Sequence, residues 1–83
     1  MGMNLNDPLA PLNLPAAIRA QAAKLLHAIN CAETLIETLR AADRAEGFAL
    51  GIETVRALNP IDIENLYLVL ENAAQARQSE LEQ

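Results

Sequence analysis

Residues 18–39 read IRAQAAKLLHAINCAETLIETL, and the spacing of apolar side chains in this stretch decides the fold class. Ile18, Ala22, Leu25, Ile29, Ala32, Ile36 and Leu39 recur at alternating intervals of four and three. An α-helix turns once in about 3.6 residues, so this recurrence draws one unbroken seam along a helix, whereas a strand would alternate every second residue. Leu26, Ala28, Leu35 and Ala42 flank the seam and widen it toward the face of a bundle helix. Pro15, with its fixed φ, suits a first turn. The next seam position is Asp43, and Gly47 is placed to turn the chain out of the helix. The spacing therefore predicts one long helix from about residue 15 to about residue 44. Its apolar stripe, Ile18 to Leu39, would be about 32 Å long.

Two further helices follow. Phe48, Ile52 and Val55 share helical spacing with Leu58 at the edge, which predicts a short helix over about 48–58. Gly47 and Gly51 weaken it, since each interior glycine costs up to about 1 kcal/mol. The third helix, about 60–80, has a clear start: Asn59 as N-cap, Pro60 at the first position, and Asp62 reaching back. Asp62 and Glu64 also lie at the positive end of its dipole. Ile61, Ile63, Leu66, Tyr67, Leu68, Val69 and Leu70 make its first half apolar over much of the circumference.

Ahead of the helices, residues 1–14 hold Pro8 and Pro11, which bias the chain away from helix and predict an extended N-terminal arm. Leu5, Leu9, Leu12 and Leu14 give that arm more apolar content than a disordered tail carries. A flexible leader and a strap packed on the helices are both open, and the leucines favour the strap. Composition agrees with an all-α chain. Of 83 residues 52% are hydrophobic, mostly Ala and Leu, and the only aromatics are Phe48 and Tyr67. The expected architecture is a single helical domain over 15–83, an antiparallel helical hairpin or small helical bundle carrying the Pro/Leu arm.

The net charge is −5 and the pI about 4.6. Residues 60–83 set Arg77 alone against Asp62, Glu64, Glu71, Glu80 and Glu82, so the third helix is the acidic element. A single lysine with five arginines makes no basic patch, which argues against direct binding of nucleic acid. An acidic helix is most simply a solvated face, and more sharply a surface for a basic partner. Cys31 is the only cysteine, so no internal disulfide can form, which fits a reducing compartment. No basic stretch leads into an apolar one near Met1, so no signal peptide is expected, and Leu66–Leu70 is far short of a membrane span. The expected location is cytoplasmic, away from membranes.

Chemistry-bearing patterns are sparse. His27 and Cys31 share a helical face at the spacing of two metal ligands, but no other His or Cys completes a site. The same pair lacks a glycine-rich turn for an oxyanion and a third orienting group. Glu33 and Glu37 read as a solvated back, with Arg40 in reach of Glu37 or Asp43. No phosphate loop or dinucleotide fingerprint is present. No catalytic, cofactor or metal residue is assigned, and no enzyme activity is expected. Gly47-Phe48-Ala49-Leu50-Gly51 spells a small-xxx-small pattern, weak outside a membrane.

Length is the more informative feature. A helix over 48–58 is too short to cover the stripe of a helix over 15–44, so apolar surface stays wet unless the arm or a second copy fills it. A homodimer with a four-helix-type core is the favoured solution. Its interface candidates are Ile18, Leu25, Ile29, Ile36, Leu39, Leu66, Tyr67 and Leu70. The expected function is a non-catalytic protein–protein interaction module, an adaptor, regulator or assembly factor. The alternative is a small acidic inhibitor or secretion-type chaperone that masks a basic or helical surface of a larger protein.

Overall fold

The stripe does not form one helix. In a computed structural model, which describes residues 7–83, the chain folds as α1 (Ala16–Asn30), α2 (Leu35–Thr54) and α3 (Pro60–Leu81). The expected helices over 15–44 and 48–58 are thereby corrected: the break falls at Cys31–Thr34, and Gly47 lies inside α2 instead of ending a helix. The all-helical bundle itself stands.

The break has a local cause. Thr34 takes an extended conformation, φ −133° and ψ 163°, and its hydroxyl accepts the Glu37 backbone N–H at 3.0 Å. The Glu37 carboxylate reaches back to the Glu33 N–H at 3.4 Å. Thr34 thus caps α2 and Glu37 holds the amide just before the cap, a variant of the capping box that satisfies amides which a continuous helix would bond internally. Upstream, the Cys31 N–H bonds the His27 carbonyl at 2.9 Å and Ala32 closes a tighter turn on Ile29. Ser/Thr-x-x-Glu is a helix-start signal, and here it overrides a heptad that runs in phase across the break.

α3 starts as the sequence requires. The Asn59 side chain accepts the Asp62 N–H at 2.9 Å and donates to the Asp62 carboxylate at 2.8 Å, with Pro60 in the first turn. At the other junction α2 ends in a Schellman turn: Ala57 N–H bonds Ile52 O and Arg56 N–H bonds Glu53 O, both at 3.1 Å. Arg56 stands at the left-handed position, φ 56°, where glycine is the usual residue.

Of the arm, residues 1–6, Leu5 among them, lie outside the described residues. The rest is a strap. Leu9, Leu12 and Leu14 are buried in the same core as Leu25, Ile29, Leu66 and Leu70. It is not extended throughout: Asp7 starts a turn, its carboxylate accepting Leu9 N–H at 3.0 Å, and Leu12 N–H returns to Leu9 O at 3.1 Å. A side-chain hydrogen bond to the backbone two residues on offers local bonding that extended chain lacks. Arg19 of α1 fastens this turn by donating to the carbonyls of Leu9, at 2.8 Å, and of Leu12. Asp62 secures the far end by accepting the Asn13 N–H at 3.3 Å.

Candidate functional site

α2 carries its apolar side chains in an unusual arrangement. Its buried residues are Thr38, Ala41, Ala45 and Ala49, a row at intervals of three and four. Small side chains there let α1 and α3 approach closely, with Phe48 and Ile52 filling the flanks. The Thr38 hydroxyl is satisfied by the Thr34 carbonyl at 2.8 Å. The larger residues face outward: Leu35 is 41% exposed, Ile36 62%, Leu39 52% and Leu50 55%. Burying alanine while leaving leucine and isoleucine in water is the reverse of what burial free energy favours within one chain. Gly47 and Gly51 are also exposed, and a Cβ built on either meets no atom within 4 Å.

The interface candidates separate accordingly. Leu25, Ile29, Leu66 and Leu70 are buried within the single chain, and Ile18 and Tyr67 are half-buried against the core. Ile36 and Leu39 alone among them lie on the surface. The wet stripe anticipated along a long helix is filled from Ile18 to Ala32 by the strap, α2 and α3. Of the stripe, Ile36 and Leu39 on α2 stay uncovered, and Val55 at the end of α2 and Ile61 and Leu68 on α3 are exposed as well. Leu35 and Leu50 are exposed beside them; Leu35 is legible as a flank of the seam, whereas Leu50 falls inside the expected helix over 48–58 and is not among its spaced apolar residues.

Between α2 and α3 runs a groove of about 190 Å³. Ala42, Leu70 and Ala74 form its apolar base, and Asp43, Glu46 and Glu71 stand on its rim with Tyr67 and Gln75. The Tyr67 hydroxyl donates to Glu53 at 2.9 Å. Desolvation against the helices raises the Tyr67 phenol above its usual 10.0; the Glu53 hydrogen bond and the negative charges of Glu53 and Glu46 raise it further. The groove is therefore electronegative. Charge on α2 is segregated, because Arg40 and Arg44 line the opposite cleft, beside Cys31 and Glu37.

Cys31 Sγ lies 3.4 Å from His27 Nε2, so helical spacing does bring the pair together at the end of α1. Both are exposed. Among the described residues, no group of three or more His, Cys, Asp or Glu is placed to hold a metal ion, and no helix is long and apolar enough to cross a membrane. Arg77, the sole cation of α3, is engaged elsewhere: it donates to the Ala32 carbonyl at 2.7 Å and pairs with Glu80 at 3.1 Å. Comparison with protein-family models, with curated proteins and with solved structures finds no match to this chain.

Proposed function

We propose that the protein is a non-catalytic protein–protein interaction module that docks through the outer face of α2. The observation that supports this reading is the inversion on that helix, with Ile36, Leu39 and Leu50 more than half exposed while alanines fill the core. Apolar side chains in a row favour association, because covering them releases water at about 25 cal/mol per Å². The acidic rim of Asp43, Glu46 and Glu71 suits a protein partner and repels a phosphate backbone.

Self-association is the second reading, and the glycines favour it. Gly47 and Gly51 leave open space on the exposed side of α2, where the backbone of another helix can approach closely. A homodimer would then meet through α2, while the interior candidates Leu25, Ile29, Leu66 and Leu70 serve the monomer core.

The test compares the wild type with Ile36→Glu/Leu39→Glu, two changes at exposed positions that leave the thermal melt in place. Sedimentation at micromolar concentration reads self-association, and crosslinking in host extract reads other partners. Loss of a dimer or of a defined crosslinked species in the variant supports the proposal. A 9.0 kDa monomer with an unchanged crosslinking pattern in both proteins overturns it.

A further inference from the structure

We infer that the outer face of α2 receives an amphipathic helix from another protein that carries a cationic side chain, an arginine best of all, at its centre. The inference rests on the interaction-module reading above and names the partner's chemistry.

Leu35, Leu39, Asp43, Glu46 and Leu50 follow one another at intervals of four, four, three and four, and all are exposed. That spacing puts all five on one helical face, with leucines at both ends and two carboxylates in the middle. The middle sits at the groove, where Glu71 of α3 adds a third carboxylate across a base of Ala42, Leu70 and Ala74. None of these three acids forms an ion pair among the described residues. The nearest arginines of the same helix, Arg40 and Arg44, line the cleft on its other flank, and Arg77 is held by Ala32 and Glu80. An arginine from outside would lay its aliphatic stem on the alanines and place its planar guanidinium between carboxylates on both walls. Leucines on either side of it would cover Leu35, Leu39 and Leu50.

The same pattern disfavours a second copy on this face. Antiparallel self-pairing that sets Leu35 opposite Leu50 brings Asp43 beside its own counterpart and Glu46 opposite Leu39 with no cation to meet it, and in-register parallel pairing sets both acids against themselves. Like charges across a helix seam oppose association. The acids therefore select a foreign, basic helix.

The probe is a synthetic amphipathic peptide with leucines at four- and three-residue spacing and one central arginine. Its control replaces arginine by citrulline, which keeps the shape and removes the charge. Both are titrated against the full chain by calorimetry at low and at physiological salt. The arginine peptide should bind at least about tenfold more tightly, with the ratio shrinking as salt rises. Asp43→Asn/Glu46→Gln/Glu71→Gln, whose melt should match the wild type, should erase the preference. Equal affinity of the two peptides, a preference that survives in the triple variant, or no binding of the arginine peptide each overturns the inference. If no peptide binds yet Leu39→Glu abolishes a dimer, the inference falls and the interaction-module reading stands. If association is absent in every assay, both fall.

Discussion

Replacing Leu9 by alanine tests the strap at its most buried point. Leu9 is 2% exposed, in a turn that a sequence reading leaves open as a leader. The change removes three buried carbons, worth about 2.4 kcal/mol at roughly 0.8 kcal/mol each. A cavity contribution follows in proportion to how poorly the site collapses, so the full loss should be about 2.5–4 kcal/mol. A domain of 83 residues has a stability of about 4–12 kcal/mol, so this is a large share of it. Urea unfolding followed by circular dichroism reads it directly. With a slope near 1 kcal/mol per M, the midpoint should fall by about 2.5 M or more. Ala10→Ser, an exposed change in the same turn, should stay within about 0.5 kcal/mol. Arg19→Met, which keeps the stem but loses both bonds to the Leu9 and Leu12 carbonyls, should destabilise by about 1–3 kcal/mol, reduced by partial solvent access. Leu9→Ala and Arg19→Met should couple in a double-mutant cycle because they fasten one turn. A Leu9→Ala loss below about 0.5 kcal/mol would refute the strap as part of the core.

Arg56→Gly should stabilise by about 0.5–1 kcal/mol, since it relieves a left-handed conformation at the Schellman turn, and calorimetry should show the melting temperature rising by a few degrees; a lower melting temperature would contradict this. Thr34→Ala should destabilise by about 1 kcal/mol through loss of the α2 cap while helicity at 222 nm stays level. A gain in helicity with a larger hydrodynamic radius would mean that α1 and α2 had fused. Tyr67 is the only tyrosine, so ultraviolet titration reports it alone. Its midpoint should lie above 10, and Glu53→Gln should bring it down part of the way by removing a negative acceptor. Because the folded phenol holds its proton more tightly than the unfolded one, that contribution to stability is present below about pH 10 and fades as pH rises through the folded value. An unchanged midpoint in Glu53→Gln would remove Glu53 as a cause.

Sequence by itself determined the helical class and the start of α3, because these follow from local periodicity and capping. It marked Ile18, Leu25, Ile29, Leu66 and Leu70 as apolar but assigned them to an interface, and their place in or against the core of one chain comes from the tertiary structure. Asn59, Pro60 and Asp62 act over four residues and need no distant partner. The break at Cys31–Thr34 was also written locally, in Thr34 and Glu37, but the heptad continued in phase through it and concealed it. A hydrophobic period reports which residues share a face; it cannot report whether the backbone turns between two helices whose patterns happen to agree. Only the tertiary structure decided which way α2 faces. Its leucines and its alanines both recur at helical spacing, and transfer free energy alone would turn the leucines inward. Close packing of three helices and a strap around Leu9, Ile29 and Leu66 leaves room at the α2 contact for alanine. That steric demand sends Leu35, Ile36, Leu39 and Leu50 to the surface and sets the acids of α2 and α3 across one groove.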